Sequence, residues 1–338
     1  MQTICFAQNA EEIKKTINSN WFQIYDYVDR HNNYSEQLKL IEKFKNDSNI
    51  NIRKNYFKWN IAICIKDSSY RKETLKLLLD GLTDKSESVS KNCYASLCNR
   101  FNKRYYDSTD LNKVKFLVLK QIDSYNLKNK YFSAKEKREK DSLLILFNSN
   151  QCYYNLIQLA GYLGITELRP DLEKVLDNYN YSLFRYNKKK KNEIACEPCA
   201  FSPIEVFHES SVISPWDIHI AFAQMGDKKE LEFCFNKLNE FISNKYTEQL
   251  DFCIFSFIKG FSYTMQPETV DYLLILFNLI PNDDDYKNFM SDCFRNMIKD
   301  FPRFSNKDYT FENITDWIVK NKPKMIILKD NAFRWPEF

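Results

Sequence analysis

At 338 residues, the chain is long enough for two ordinary domains or one elongated repeat array. Its 5 glycines argue against sandwiches, barrels and phosphate-binding α/β folds, which use glycine in turns and ligand loops. The 49 basic and 45 acidic residues leave a net charge of +4, a smaller basic excess than dedicated nucleic-acid binders usually carry. No apolar run approaches the ~18 residues that a bilayer-spanning helix needs.

Apolar residues spaced three or four apart predict helices along almost the whole chain. The first helix is expected over 10–31, and Ser35 is expected to cap a second over 36–47. Strand-like alternation is almost absent, so the expected fold class is all-α. The remaining helices are predicted at 51–66, 69–82, 86–101, 111–125, 133–147, 152–163, 167–176, 217–225, 229–241, 247–261, 268–279, 284–301 and 311–320.

Two pairs of turns repeat along the chain. The segments Asp47–Arg53 and Asp84–Lys91, 37 residues apart, each place an acid, a short polar turn, a β-branched residue and a base before an apolar helical run. The segments Leu159–Gly164 and Ala221–Gly226 each end a helix at glycine, which suits a C-cap. Repetition at this length indicates stacked helices, because one helix pair cannot bury its apolar face alone.

These turns, with Leu82 preceding the second acid, resemble the inter-repeat turns of HEAT and armadillo-type repeats over 35–125 and 151–241. The resemblance implies a right-handed superhelix, an α-solenoid, of irregular HEAT-like helix pairs. It also implies a non-enzymatic protein–protein interaction scaffold that holds a protein partner along its concave surface. The 21 tyrosines favour a protein-binding surface as well, because tyrosine is enriched at interfaces. No cofactor is expected.

The predicted organisation has four parts. Residues 1–9 are an N-terminal tail or the end of a signal peptide, 10–177 and 215–338 are helical repeats, and 178–214 form a long inserted loop. As it stands the chain is expected to be cytoplasmic, since most of its ten cysteines lie in apolar helical patterns. Because residues 1–8 resemble the end of a bacterial secretory signal, an upstream start would instead make the protein exported or periplasmic.

The loop contains the only Cys-x-x-Cys pair in the sequence, Cys196 and Cys199, with His208 nearby. Two thiolates at this spacing can share a zinc ion or cycle as a dithiol, but the histidine spacing matches no standard zinc finger. A disulfide in an exported protein, or two idle thiols, is therefore the favoured interpretation, and no metal site is expected. The sequence carries none of the common catalytic motifs, so we do not expect an enzyme.

Two clusters of cations and aromatics support an alternative function, a nucleic-acid-binding HEAT-type protein similar to HEAT-type DNA glycosylases. Such mixtures can bind a phosphate backbone and stack bases, although lysines in a loop are more often solvated charge. On this hypothesis Lys54 and Lys58 share the face of these clusters. The cluster residues are Arg100, Lys103 and Arg104 in the first, and Lys188, Lys189, Lys190 and Lys191 in the second.

Overall fold

The protein is all-α, as predicted. The computed structural model describes residues 11–149, 155–178, 184–186, 201–203, 213–243, 258–279, 284–302 and 310–329. Within these, the strands are one short antiparallel pair, β1 (Phe184–Tyr186) and β2 (Phe201–Pro203), in the predicted loop. No described helix is both long and apolar enough to cross a membrane. The chain forms two compact units, an N-terminal unit of residues 1–110 and a C-terminal unit of residues 111–338.

The helices follow the predicted order, and most of their bounds agree with the prediction to within a few residues. Short helical segments also occupy 11–16 and 258–262. The longer helices are α1 (Trp21–Arg30), α2 (Tyr34–Ile41), α3 (Ile50–Lys66), α4 (Arg71–Gly81), α5 (Glu87–Arg100), α6 (Ser108–Ser133), α7 (Lys137–Ser149), α8 (Ile157–Leu163), α9 (Arg169–Asp177), α10 (Pro215–Gln224), α11 (Lys228–Ser243), α12 (Glu268–Leu279), α13 (Asp284–Met297) and α14 (Phe311–Asn321).

Near the N-terminus, the prediction of one unbroken helix over 10–31 and of Ser35 as a helix cap is wrong. The expected helix over 10–31 is interrupted, because Asn20 and Gln23 form a capping box that begins a new helix. The Asn20 side chain accepts from the Gln23 amide at 3.1 Å, and the Gln23 side chain accepts from the Asn20 amide at 3.3 Å. Ser35 lies inside α2, and the residue that precedes this helix is Asn33.

Helix α3 is the centre of the N-terminal unit and packs against α1, α2, α4 and α5. Nearly its whole circumference is buried, which explains why it lacks a polar face. Its Trp59 lies 5.3 Å from the Tyr27 ring, centroid to centroid, and donates from Nε1 to Gln37 Oε1 at 2.9 Å. Asn55 donates to two carbonyls of the turn at 17–19. Buried polar groups of α3 thus hold the turns around it.

The two repeated turns of this unit adopt the same local structure and are joined by Arg53. Asp47 accepts the amide of Asn49 at 2.8 Å, and Asp84 accepts the amide of Ser86 at 2.7 Å. Arg53 is 3% exposed and binds both carboxylate oxygens of Asp84 at 3.1 Å. Its Nη1 also donates to the carbonyl of Asp47 at 2.6 Å. One guanidinium therefore connects consecutive turns.

The bases of the two turns are not equivalent, contrary to the sequence pattern. When the two turns are aligned on Asp47 and Asp84, 37 residues apart, the residue equivalent to Arg53 is Ser90 and not Lys91. Ser90 is buried and donates to the carbonyl of Leu82 at 2.8 Å. Lys91 instead lies on the surface and pairs with Glu87 on its own helix. The buried ion pair therefore has no counterpart at the second turn.

Replacing Arg53 with alanine is expected to destabilise the protein by about 3–5 kcal/mol, because it leaves the enclosed Asp84 carboxylate without its cation. Urea unfolding followed by circular dichroism measures this change. Lys91→Ala is the matched control and should cost under about 0.5 kcal/mol, since it breaks an exposed pair within one helix. Equal effects of the two changes would contradict the burial of the Arg53 pair.

The repeated glycine turns of the C-terminal unit are confirmed as equivalent. Gly164 ends α8 with φ of 76°, and Gly226 follows α10 with φ of 101°. In each turn the amide after the glycine donates to the carbonyl five residues earlier, at 3.0 Å and 3.1 Å respectively. This is the Schellman arrangement, in which a left-handed residue closes a helix.

Helix α10 is central to the C-terminal unit, where it packs against α8, α9 and α11, and α12 packs against α11, α13 and α14. Helices α8 and α10 cross closely: a Cβ added to Gly161 would lie 2.5 Å from the Cα of Ala221. Beside this crossing, Asp217 accepts from Asn155 at 2.6 Å and from Gln158 at 2.7 Å. Burial raises the pKa of Asp217, although these two donors oppose the change.

The change Gly161→Ala is expected to lower stability by about 1–3 kcal/mol, because the new methyl group meets backbone rather than a mobile side chain. Helix propensity alone predicts the opposite, a gain of up to about 1 kcal/mol. Thermal unfolding decides between the two. The exposed Lys174→Ala serves as a control with little expected effect. A Gly161→Ala protein as stable as the wild type would contradict the close crossing.

Candidate functional site

The predicted site residues divide into two groups. Two sets of predicted residues lie outside the described residues: the metal-ligand candidates Cys196, Cys199 and His208, for which no metal was expected, and the lysines 188–191. The structure therefore tests neither interpretation. In the described part of the chain, no group of three or more histidine, cysteine or acidic side chains could hold a metal ion. Arg100, Lys103 and Arg104 are described and lie at the end of α5 and in the 3-10 turn after it.

Tyr105, in that turn, lies between two guanidinium groups. The Cζ of Arg71 is 4.5 Å from the ring centroid, and that of Arg104 is 5.0 Å away. Both arginines also donate to the phenolic oxygen, Arg104 through Nη2 at 3.0 Å and Arg71 through Nη1. Two cations therefore converge on one neutral oxygen atom.

Sequence reasoning missed Arg71, because its partner is distant in the chain. Arg71 and Lys72 begin α4 directly after a 3-10 turn, Ser68–Tyr70, that the Asp67 side chain caps. Lys72 pairs with Asp107 at 2.8 Å and with Asp110, whereas Arg71 donates to Tyr105. Both cations therefore find their partners in the segment 105–110.

Arg100 extends this cluster towards α1. Its Cζ lies 6.0 Å from the ring centroid of Trp21, whose ring is 5.8 Å from that of Tyr25. Burial raises the pKa of the Cys64 thiol, while the charges of Arg71 and Arg100 oppose that rise, so both arginines lie near the same end of α3. We call the set the arginine–aromatic surface; it consists of Trp21, Tyr25, Arg71, Arg100, Arg104 and Tyr105.

Two lysines bordering this surface, Lys66 and Lys72, are paired with aspartates, whereas two of its arginines have no carboxylate partner among the described residues. Lys66 pairs with Asp29, and its Nζ lies 4.6 Å from the Tyr25 ring centroid. In the described part of the chain, no carboxylate lies within 4 Å of the guanidinium nitrogens of Arg71 or Arg100. The positive charge available to a ligand is thus concentrated on arginine.

Lys54 and Lys58 are not part of the arginine–aromatic surface. Lys54 donates to Ser88 at 3.2 Å and borders an open depression of about 630 Å³ at the start of α5. It precedes Cys64 by ten residues on α3, so about 15 Å of helix separates it from the end where the arginines lie. Burial and the charge of Lys54 lower the pKa of Lys58.

Large apolar side chains are exposed in both units. Phe22, on α1 beside Trp21, is 80% exposed and lies one turn before Tyr25. In the C-terminal unit, Ile145 of α7 is 70% exposed. Exposed large apolar side chains that adjoin one another are typical of interaction surfaces. Phe22 therefore extends the arginine–aromatic surface with an apolar position.

Comparison with protein-family models, with curated proteins and with solved structures found no match to this chain.

The pKa of Asp107 is lowered to about 2, chiefly by its hydrogen bond from Lys72. The ionised Asp107 carboxylate contributes its full stabilisation when the pH is above its unfolded pKa, near 3.9. This stabilisation is lost as the pH falls through its folded pKa of about 2. Lys72→Ala should return the pKa of Asp107 towards its ordinary value, and a carbon-13 NMR titration of the carboxyl groups measures this. The control Lys54→Ala should leave the titration midpoint of Asp107 unchanged. If the midpoint of Asp107 is also unchanged in Lys72→Ala, Lys72 is not the cause of the lowered pKa.

Proposed function

We propose that this protein is a non-enzymatic interaction scaffold that binds another protein. The scaffold would be a right-handed superhelix of irregular HEAT-like helix pairs, an armadillo-type array. Direct packing of α3 on α5, past the intervening α4, supports a repeat-like stack. The equivalent turns at Asp47 and Asp84, and at Gly164 and Gly226, support it as well.

The observation that carries this proposal is the arginine–aromatic surface. Tryptophan, tyrosine and arginine are the residues most enriched at the energetic centres of protein interfaces. Here they adjoin the exposed Phe22. Tyr105 is already fixed between Arg71 and Arg104 in the free protein, so little side-chain entropy remains to be lost on binding.

The same surface supports nucleic-acid binding as a second candidate, because guanidinium groups bind phosphates and Trp21 or Tyr25 can stack on bases. The surrounding charges favour the first candidate. The neighbouring lysines 66 and 72 are neutralised, and Lys54 lies elsewhere on α3. A nucleic-acid backbone would therefore meet few available cations beyond the arginines.

Affinity capture of the full-length protein from its native lysate, with and without nuclease, tests the proposal. Three proteins are compared by quantitative mass spectrometry: the wild type, the double variant Arg71→Glu/Arg104→Glu, and the control Arg138→Glu, which changes an exposed residue of α7. We expect wild type and control to retain the same protein partner after nuclease. The double variant should retain at least about tenfold less, because it reverses two charges that contact the partner.

Thermal unfolding of the three proteins checks that each is folded. If nuclease removes everything that the wild type captures, the second candidate is correct. If the double variant captures the same partner as strongly as the wild type, the arginine–aromatic surface is not the interface.

A further inference from the structure

We infer that the arginine–aromatic surface binds a short acidic segment of a partner protein, with carboxylates on the arginines and an aromatic or large apolar side chain against α1. This inference rests on the proposed scaffold function and names the partner's chemistry.

The hydrogen bonds of Tyr105 indicate the charge of the ligand. Arg71 and Arg104 both donate to the phenolic oxygen, which is uncharged and a weaker acceptor than a carboxylate. A carboxylate arriving at this point can accept charge-assisted hydrogen bonds from the guanidinium of Arg71. It meets no carboxylate already bound to Arg71 or Arg100 within the described residues.

Arg71 also has donors to spare. A guanidinium carries five N–H groups, and the hydrogen bond of Arg71 to Tyr105 uses one of them. Its Cζ lies 4.5 Å from the Tyr105 ring centroid, so the guanidinium also contacts the ring. The N–H groups that do not donate to Tyr105 can bind an anion.

The neighbouring ion pairs bear on the length of the ligand. Lys66 pairs with Asp29 and Lys72 pairs with Asp107, and both carboxylates are about half exposed. A nucleic-acid strand carries one charge about every 3.4 Å and binds along a row of cations. Because Lys66 and Lys72 are paired, they do not extend the group of arginines into such a row. A short acidic peptide needs only a few cations, so the observations favour it over a phosphate backbone.

Helix α1 supplies the apolar half of the surface. Trp21 and Tyr25 are one turn apart and half-buried, and Phe22 projects beside them into solvent. The Cζ of Arg100 lies 6.0 Å from the Trp21 ring centroid, so the cationic and aromatic parts of the arginine–aromatic surface meet at Trp21. The arrangement fits a segment in which an aromatic or large apolar residue is flanked by aspartate and glutamate.

Fluorescence polarisation with a defined probe tests this chemistry. The probe is a fluorescein-labelled heptapeptide with a central phenylalanine flanked on each side by three acidic residues. We expect the full-length protein to bind it, Arg71→Ala/Arg104→Ala to bind at least about tenfold more weakly, and Arg138→Ala to bind like the wild type. Tyr105→Phe removes the competing oxygen but keeps the ring, so its affinity should equal or exceed that of the wild type.

Equal binding of the acidic probe by the wild type and the double variant would overturn the inference. So would wild-type binding of a heptapeptide with lysine in place of the acidic residues as tightly as the acidic probe. Tighter binding of a fluorescein-labelled dodecathymidylate than of the acidic probe, if it depends on Arg71, would overturn it as well. Failure to bind the acidic probe at about 1 mM would also overturn it, since that limit corresponds to only about −4 kcal/mol. If the acidic probe does not bind but nuclease-resistant capture of a partner still depends on Arg71 and Arg104, the scaffold proposal holds and only the acidic partner chemistry is wrong.

Discussion

The ion pair between Arg53 and Asp84 fixes how the helices of the N-terminal unit lie beside one another. It joins the turn that begins α3 to the turn that begins α5, so these two helices start side by side and run in the same direction. Their other ends then come together near Cys64 and Arg100, and α4, which runs back between them, begins there with Arg71. A buried contact at one end of the stack therefore places the arginines at the opposite end.

The C-terminal unit also joins two turns through a carboxylate, but there the hydrogen-bond donors are neutral. The offset that aligns Gly164 with Gly226 also aligns Asn155 with Asp217. As in the N-terminal unit, the later turn supplies a carboxylate, and the earlier one supplies the donors, here the side-chain amides of Asn155 and Gln158. Amides carry no charge that could offset the buried carboxylate, and burial accordingly raises the pKa of Asp217. Both units thus connect consecutive turns through an acid that is bound from the turn before it.

Local signals made the all-α class and most helix bounds predictable. The aspartate turns and glycine ends depend on hydrogen bonds within a few residues, which a sequence pattern records directly. Contacts between distant residues were not predictable in this way. The sequence pattern treated Arg53 and Lys91 as equivalent bases, whereas only the fold shows that Arg53 binds Asp84. Of the arginine–aromatic surface, the sequence indicated Arg100 and Arg104, but Arg71 meets Tyr105 from 34 residues away.

The different treatment of lysine and arginine around this surface bears on its use. Lys66 and Lys72 each pair with an aspartate, while Arg71 and Arg100 have aromatic rings in place of carboxylates. A ring stabilises a guanidinium through its face and leaves edge donors for a ligand, which a carboxylate bound at that edge would occupy. Within the described residues, Arg71 and Arg100 thus keep a positive charge that no carboxylate within 4 Å neutralises, whereas the guanidinium of Arg53 is held by Asp84 inside the fold.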